Sequence, residues 1–414
     1  MTTRREFIGG FLAGAGTLAA AGTIVSSRVL GANDRVRIGL IGAGGRGQEI
    51  LKAAMRCPNI EAVAVSDVYS RRLDEVKKFV PNVAAYQDFR RLLDDKTVDA
   101  VLIATPQHQH ALQFVPAAQA GKDIYQEKTM AFNPDHAKRM RRALQGSGRI
   151  VQIGIQSTSG PAAERVPEFL KTEQLGTITA IHTHHYRNAP HGGWKRAIPA
   201  DCDPQHFDWA TFQGEARQVP FDPNRAINWR FYWDYSGGNV FENMVHQVGF
   251  WFKMMKLGIP SQVTMTGGNF LSPDMEVPDT MDVSIIQKER LVFTWNSMFG
   301  NNYYGECDDL ALGNKGTLHR TTEDQVRFEP QGRRSQAAKS AEAAGAAGKT
   351  PDIVGGSDST ELHMKNFFDC VRSRKEPNCP FEIGFRSAIV CQMAIASYRQ
   401  GRTVRWDEQR EEIV

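Results

Sequence analysis

Residues 35–47 read RVRIGLIGAGGRG, so a short β-rich run leads directly into a cluster of glycines, and a helix-compatible stretch follows to about Met55. A G-x-G-x-x-G pattern is a weak signal alone, but a strand before it and a helix after it are the context that dinucleotide binding requires. The first glycine permits the tight turn, the second lets the backbone approach a pyrophosphate, and the third allows close helix packing. The helix N-terminus favours the phosphate charge. We therefore predict a dinucleotide site at Gly42, Gly44, Gly45, Arg46 and Gly47.

The next predicted strand, residues 61–66, ends at Asp67. An acidic residue about 20 positions after the glycines hydrogen-bonds the adenosine ribose and favours NAD over NADP. Arg71 and Arg72 follow closely and could hold a 2′-phosphate, so NADP stays open as the cofactor. The alternative interpretation of Asp67 is a helix N-cap.

Strands and helices continue to alternate in this half of the chain. Strands are predicted at residues 99–103, 123–126 and 149–153, and helices at 111–120 and 135–145. This alternation indicates βαβ units and a parallel sheet, which we assign to a Rossmann domain at residues 33–156. Ligands of such sheets bind beyond the carboxyl ends of the strands, so residues 42–47, 105–110 and 127–129 should border the site.

The pattern changes after Gln156. Residues 178–186 alternate with His182 and His184 on one face, and further β-like runs occupy residues 262–266, 281–286 and 290–295. Helical crossovers are fewer, so we predict a second α/β domain, residues 157–360, on a mixed or mostly antiparallel sheet. Residues 331–360 have little apolar bulk and are expected to form a long surface loop.

Composition excludes several classes of protein. The chain has 414 residues, of which 41% are hydrophobic, so two or three domains with real cores are expected rather than disorder or a disulfide scaffold. Fifty basic residues nearly balance 46 acidic ones, which argues against nucleic acid as a partner. The six cysteines include no C-x-x-C pair and no zinc spacing.

The first 32 residues predict an export signal. Arg4 and Arg5 precede a stretch from Phe7 to Ser27 without charge, diluted by five glycines. This order is typical of a twin-arginine signal peptide, so we expect the twin-arginine export machinery as a partner and a periplasmic location. Residues 30–32 match a cleavage site only in part, which leaves membrane anchoring by an uncleaved signal open. An ordinary N-terminal helix is the alternative.

Three further motifs carry a resemblance. Thr105-Pro106 is followed by His110, Glu127-Lys128 follows the next strand, and Gly237-Gly238 precedes His246. Together they resemble the Gfo/Idh/MocA family (glucose-fructose oxidoreductase, inositol dehydrogenase, rhizopine catabolism) from about Arg35 to Trp406. The resemblance implies an NAD(P) site that includes Thr105, Pro106, His110, Glu127 and Lys128. It also implies a second domain with an open sheet often used for oligomerisation, and a segment 361–414 that packs back on the Rossmann domain.

The candidate catalytic residues are Lys128, His246 and Glu242. In the family the lysine belongs to a Glu-Lys-Pro motif and acts on substrate; Thr129 replaces the proline here, which we expect to loosen the turn. Burial and a nearby cofactor charge can lower a lysine pKa. A histidine can transfer the hydroxyl proton, and Glu242, one helical turn earlier, could orient its ring or raise its pKa. The alternatives are a solvent-facing lysine and a surface Glu-His pair.

A possible sugar site and a possible metal site involve neighbouring residues. We predict that His184, Tyr186, Arg187 and Trp194 form walls of the sugar site, through aromatic stacking and hydroxyl hydrogen bonds. A metal site could be drawn from His182, His184, His185 and His191, but only two of these share a strand face and no carboxylate is suitably spaced, so no metal is expected.

Three functions follow as hypotheses. The main one is an NAD(P)-dependent oxidoreductase acting on a hydroxyl of a sugar, polyol or glycoside. Export would make free dinucleotide scarce, so the cofactor should be retained. The nearly neutral body and the open sheet of the second domain suggest a homo-oligomer. The alternatives are a redox-neutral NAD-dependent glycosidase and a non-catalytic module that binds nucleotide and sugar.

Overall fold

The computed structural model describes residues 35–303, 308–321, 325–331 and 359–414. The predicted signal, residues 1–32, and nearly all of the predicted surface loop, residues 331–360, lie outside these ranges. Within them, no helix is long and apolar enough to cross a membrane.

The first domain is a six-stranded parallel sheet in the order β3-β2-β1-β4-β5-β6. Its strands are β1 Val36–Ile41, β2 Ile60–Ser66, β3 Ala84–Tyr86, β4 Ala100–Ile103, β5 Asp123–Glu127 and β6 Val151–Gly154. Its helices are α1 Gly45–Arg56, α2 Ser70–Lys77, α3 Phe89–Asp94, α4 His110–Gln119 and α5 Pro134–Leu144, with a 3₁₀ turn at Gln107–Gln109. The order is that of the Rossmann fold, which confirms the predicted class. The predicted strands recur within two residues, whereas the three-residue β3 was missed.

The second domain follows a short connection. Its helices are α6 Pro161–Leu170, α7 Trp209–Gln213, α8 Pro223–Ile227 and α9 Val245–Met255, with a π-helix at Val240–Met244 and 3₁₀ turns at Gln156–Ser159, Pro190–Gly193 and Trp229–Phe231. Its strands are β7 Ile178–Asn188, β8 Gln262–Gly268, β9 Thr280–Ile286, β10 Val292–Met298, β11 Gly300–Asn301, β12 Asp308–Gly313, β13 Gly316–Thr321 and β14 Val326–Pro330. Helices α10 Ser359–Ser373 and α11 Phe381–Gln400 and strands β15 Val404–Asp407 and β16 Glu412–Ile413 end the chain.

The second sheet has the order β14-β13-β12-β7-β10-β9-β8-β15-β16, with β11 beside β7. Only the β7–β10 pair is parallel among the described pairs of this sheet, so the predicted mostly antiparallel sheet is confirmed. Residues Ile181 and Thr183 of β7 are buried, whereas His182 on the opposite face is exposed. One face of the sheet therefore carries the core, and the other stays open in the single chain.

The C-terminal segment, expected to pack on the Rossmann domain, divides between both domains. Helix α10 contacts α1 and β6, and α11 contacts β6 and α5 on one side and α9 and β8 on the other. Strand β15 then pairs with β8 and extends the second sheet. One apolar core consequently runs from Ile103 of the first sheet through Phe385 of α11 to Phe293 of the second. This shared core fixes the cleft between the sheets.

Candidate functional site

A cavity of about 550 Å³ lies between the two domains. The glycine loop after β1, Asp67 after β2 and Thr105-Pro106 after β4 line one wall. The second domain supplies the opposite wall, which includes Trp194, Arg196, Trp229, Arg230 and Glu242. The cavity thus lies at the carboxyl edge of the parallel sheet, where ligands of such folds bind.

The glycine loop has the geometry that its three roles require. Gly42 has φ +89°, a conformation that favours glycine. No atom lies within 4 Å of a Cβ built on Gly44 or Gly45, so the backbone there is open to a ligand. A Cβ on Gly47 would lie 1.9 Å from the carbonyl oxygen of Gly42, so only glycine permits α1 to pack this closely.

Asp67 stands beside this loop and fixes it. Its Oδ2 accepts the Ala43 N–H at 2.6 Å and its Oδ1 accepts the Tyr69 N–H at 2.9 Å. Burial raises its pKa, against the effect of these two hydrogen bonds. The N-cap residue of α2 is Tyr69, so the alternative interpretation of Asp67 as an N-cap is wrong. Each carboxylate oxygen of Asp67 keeps a lone pair that can accept a hydrogen bond from a ribose hydroxyl.

Arg71 and Arg72, the two arginines that could have bound the 2′-phosphate of NADP, form ion pairs with carboxylates of the protein. Arg71 pairs with Asp201 at 3.1 Å and with Glu75 at 3.3 Å. Arg72 lines the cavity but pairs with Glu75 at 2.9 Å. Asp67 therefore faces the cavity with no uncommitted arginine from this pair, an arrangement that favours NAD.

Glu127 and Arg46, both predicted to bind cofactor, bind each other. Arg46 Nε donates to Glu127 Oε1 at 3.0 Å, and Gln156 donates to the same oxygen at 3.2 Å. Burial would lower the pKa of Arg46, but the Glu127 charge raises it above its ordinary value. Arg46 lines the cavity, whereas Glu127 is 3% exposed and holds Arg46 in place from behind.

Lys128 and Glu242, 114 positions apart in the chain, form a buried ion pair. Lys128 Nζ lies 2.9 Å from Glu242 Oε2, and their side chains are 13% and 8% exposed. Gln107 donates to Glu242 Oε1 at 2.6 Å, and Arg230 Nε lies 3.3 Å from that oxygen. Burial alone would raise the pKa of Glu242, but Arg230 and Lys128 lower it far below its usual value. Glu242 is therefore a permanent anion that holds the lysine ammonium.

The predicted effect of Glu242 on His246 is confirmed in part: the Glu242 charge acts to raise the pKa of His246, but the hydrogen-bond partners of Glu242 are other residues. Residues 240–244 form a π-helix, which alters the i,i+4 register, and Glu242 turns to Gln107 and Lys128 instead. Burial, then Lys128 and Arg46, lowers the pKa of His246 well below its ordinary value, and Glu242 opposes this only in part. The imidazole is consequently neutral, the form that accepts a proton.

His110 and Thr129 have structural contacts rather than the expected ones. His110 is fully buried, with Nδ1 2.8 Å from the Thr129 carbonyl oxygen and Nε2 2.9 Å from that of Thr105, so it joins two loops and does not line the cavity. Thr129 is buried, and its hydroxyl donates to the Phe241 carbonyl at 2.7 Å. The predicted loosening of this turn is therefore wrong.

Of the predicted sugar-site walls, only Trp194 lines the cavity. His184 and Tyr186 lie on the open face of β7. The opposite face of the sheet is covered by α9, where Gln247 accepts a hydrogen bond from Trp295 of the neighbouring strand β10. Arg187 lies on the covered face but donates to the Gly192 carbonyl and contacts His185. The strand and the shared face of His182 and His184 were predicted correctly, but the placement of three side chains at the cavity was not.

The histidines considered for a metal have other partners. His182 contacts Thr294 at 2.6 Å, His185 contacts Arg187, and His191 contacts Asp274 at 2.7 Å. In the described ranges no three His, Cys, Asp or Glu side chains are arranged to hold a metal ion.

Several site residues were missed. Gln107, Arg196, Trp229 and Arg230 line or support the cavity but belong to no local motif. The segment 201–213 was also missed: Phe207 forms a bridge with Tyr69, the Tyr69 hydroxyl donates to Asp201 at 2.6 Å, and Phe207 and Phe212 line the cavity beside Asp67. We call this segment the strap. Its only sequence signal is a density of aromatic residues between positions 207 and 235.

Comparison with known proteins agrees with this geometry. Residues 36–155 match the GFO_IDH_MocA model, described as an oxidoreductase family with an NAD-binding Rossmann fold. The N-terminal domain is therefore similar to the NAD-binding Rossmann domain of this oxidoreductase family. The open glycine backbone, the α1 N-terminus and the lone pairs of Asp67 fit the pyrophosphate and ribose of NAD.

Two of the relatives in sequence each match about a third of the chain. Inositol 2-dehydrogenase of Salmonella typhimurium is 28% identical over 154 residues, which is 36% of this chain and 46% of that enzyme. The uncharacterized oxidoreductase YrbE of Bacillus subtilis is 28% identical over 139 residues, 34% of this chain and 41% of that protein. The chain thus spans less than half the length of these curated relatives.

Solved structures extend the likeness of fold across both domains. A levoglucosan dehydrogenase in complex with NADH and levoglucosan has a TM-score of 0.68 at 17% identity, covering 90% of this chain and 99% of that one. The aldose-aldose oxidoreductase of Caulobacter crescentus has a TM-score of 0.67 at 16% identity, covering 90% and 100%. The two-domain architecture of this chain is therefore that of these oxidoreductases.

Proposed function

We propose that the protein is an NAD-dependent oxidoreductase that acts on a hydroxyl of a sugar, polyol or glycoside. The observation that carries this proposal is the Lys128–Glu242 ion pair beside the neutral His246, at the end of β5 and next to the nucleotide cleft. Inositol and levoglucosan, in the names of the related enzymes, are a polyol and an anhydrosugar, which supports the substrate class.

Each of these side chains has a role in proton movement. Bound NAD supplies a hydride acceptor. The neutral imidazole of His246 accepts the proton of the substrate hydroxyl, and the Lys128 ammonium donates a hydrogen bond to the same oxygen as it becomes a carbonyl. Glu242 touches Lys128 and keeps its ammonium in place.

The test is a spectrum of the purified protein before and after addition of a panel of sugars, polyols and glycosides. A rise near 340 nm, a property of reduced nicotinamide, is expected with at least one of them. The double variant Lys128→Ala with His246→Ala should lose this reduction. A protein that binds sugar equally with and without these two side chains, and never reduces NAD, would instead be a binding module.

We propose further that NAD is retained between turnovers. The strap supports this, because it crosses from the second domain and pairs with the Rossmann domain immediately after Asp67. Asp208 N–H donates to the Val68 carbonyl and Ser70 N–H donates to the His206 carbonyl, both at 2.9 Å, so release of the adenosine end requires these contacts to open. NAD should survive extensive dialysis, and a protein that loses it readily would contradict retention.

A retained cofactor also favours a second candidate, a redox-neutral glycosidase. Oxidation at C3 of a glycoside acidifies the C2 proton; loss of that proton, elimination of the aglycone, addition of water and return of the hydride give net hydrolysis. The two candidates differ in one assay. Release of the aglycone from a chromogenic glycoside without any added acceptor identifies the glycosidase, whereas accumulation of reduced NAD identifies the dehydrogenase.

We also propose export and self-association. The Arg4-Arg5 motif supports twin-arginine export, and a reporter fused to the first 32 residues should lose export when both arginines become lysine.

The open face of the second sheet supports a homo-oligomer, because an exposed sheet face is a common site of association. Light scattering of the purified protein should give a mass that is a multiple of the subunit mass, which is 46.1 kDa for the full chain and lower after signal cleavage, and a mass of one subunit would contradict it.

A further inference from the structure

Two arginines from the second domain, Arg196 and Arg230, line the cavity, and Arg230 lies 3.3 Å from Glu242. Arg230 follows Trp229, whose indole ring lies under its guanidinium at 4.2 Å. The Arg196 backbone N–H donates to Asn228 at 2.8 Å, which ties its loop to the Trp229–Phe231 turn. Trp194 stands on the same wall and is braced edge-on by Phe299 at 5.3 Å. Two indoles and two guanidiniums thus form one wall.

Some side-chain N–H donors of Arg196 and Arg230 have no hydrogen-bond partner in the described part of the chain. Arg230 approaches Glu242 through Nε alone, and its two terminal nitrogens have no hydrogen-bond partner in the described part of the chain. Arg196 donates from one terminal nitrogen to the Gly193 and Lys195 carbonyls, and no carboxylate of the described residues pairs with it. Both guanidiniums therefore retain donors that a ligand can use.

The charge of this end of the cavity is also unbalanced. Arg196 and Arg230 line the cavity, Lys128 contacts Glu242, and Glu242 is the only carboxylate that pairs with any of these three cations among the described residues. Glu242 is already engaged, since one oxygen accepts a hydrogen bond from Gln107 and faces Arg230, and the other accepts a hydrogen bond from Lys128. The other lining arginines, Arg46 and Arg72, are neutralised by their own glutamates. A neutral sugar would leave this excess positive charge uncompensated.

We infer that the substrate of this site is an acidic sugar or polyol, whose oxyanion binds between Arg196 and Arg230 while its ring stacks on Trp194 or Trp229. This inference rests on the proposed function and names its substrate class. A planar guanidinium binds carboxylate or phosphate through two parallel hydrogen bonds, and an indole face packs on a sugar ring. Uronates and sugar phosphates both present this chemistry.

The test is calorimetric binding to the NAD-loaded protein of two matched sets, D-glucuronate and glucose 6-phosphate against D-glucose, and D-galacturonate and galactose 6-phosphate against D-galactose. At least one acid should bind about 10-fold or more tightly than its neutral parent. A preference for the uronate assigns a carboxylate, and a preference for the phosphate ester assigns a phosphate. If no acid binds more tightly than its parent, the inference is wrong.

Two variants locate the effect. Arg196→Gln, which leaves the Glu242 contacts intact, should weaken acid binding by about 5- to 10-fold and should weaken the binding of the neutral parent sugars less. Arg230→Lys should lose part of the preference, because it keeps the charge but not the fork geometry. Arg142→Gln, an exposed arginine on α5, removes the same charge elsewhere and should change nothing.

Two other results would overturn the inference. Loss of bound NAD from Arg196→Gln would assign this guanidinium to the cofactor phosphates, and an undiminished acid preference in both variants would place the oxyanion elsewhere. Failure of the proposed function has a separate signature, since NAD would then not be reduced by any acid or neutral sugar, whatever its affinity.

Discussion

The nucleotide half of the cavity and its reaction half are built in different ways. In the nucleotide half, the backbone of the glycine loop and one carboxylate that binds two backbone N–H groups set the shape. In the reaction half, side chains from three separate segments, at Gln107, Lys128 and residues 230–242, meet around one buried carboxylate. The first arrangement is local in sequence and the second is not. Substitutions should therefore separate cofactor binding from turnover.

The largest expected effect is in the reaction half. Lys128→Ala removes the group that holds the substrate oxygen and leaves Glu242 with Arg230 and Gln107. Turnover should fall by about 10²- to 10⁴-fold, the usual contribution of a positioned proton donor or acceptor, while NAD content stays the same. Steady-state rates and the nucleotide bound per chain measure the two effects. Lys78→Ala, on the exposed C-terminal end of α2, is the control, and turnover unchanged from the native rate would refute the role of Lys128.

The matching change in the nucleotide half is Gly47→Ala. Its Cβ would meet the Gly42 carbonyl oxygen at 1.9 Å, so α1 must shift away from β1. Overpacking of this kind costs about 1–3 kcal/mol, and we expect a lower melting temperature with a parallel loss of NAD affinity. Gly45→Ala meets no atom within 4 Å and should keep its melting temperature. Equal melting temperatures for the two variants would mean that backbone packing does not shape this half.

The pH dependence of turnover tests the electrostatics of the reaction half. His246 has a folded pKa well below its ordinary value, so it stays neutral as the pH falls through about 6.5, the unfolded value. The fall of kcat/KM on the acid side of the pH profile should therefore occur below pH 6.5, and this pH dependence should be lost in His246→Gln. The unfolded state takes up the proton first, so His246 should also make the free energy of unfolding fall as the pH drops below about 6.5. An acid limb above that value would show that the imidazole is charged in the fold.

The same contrast explains how much the sequence could predict. Gly42 to Gly47, Asp67 and five of the six strands of the first sheet are local patterns, and each was placed within two residues because the backbone itself performs the task. The side of β7 that faces α9 could not be read from alternation alone, because both faces carry histidine and the choice depends on packing with Trp295. The π-helix at residues 240–244 leaves no sequence signal, and it is what turns Glu242 towards Lys128.

The remaining misses were long-range contacts. Arg230 and Gln107 reach Glu242 from segments 12 and 135 positions away, so neither has a spacing that a motif could reveal. Glu127 and His110 occupy positions of the family motif, but both are buried beneath the site. A motif position therefore predicts that a residue lies near the site, but not whether its side chain points into it.

The smallest expected effect lies where the two halves meet, at the strap. Tyr69→Phe removes the hydroxyl that donates to Asp201 at 2.6 Å but keeps the ring against Phe207, so the strap loses one contact and not its packing. One hydrogen bond contributes about 1 kcal/mol, which corresponds to a roughly 5-fold faster release of NAD. Displacement of bound NAD by a fluorescent analogue measures the rate. Tyr86→Phe, on a tyrosine whose hydroxyl has no partner among the described residues, should leave the rate unchanged. If both variants release NAD at the native rate, the strap does not control the cofactor, and retention must come from the backbone of the nucleotide half alone.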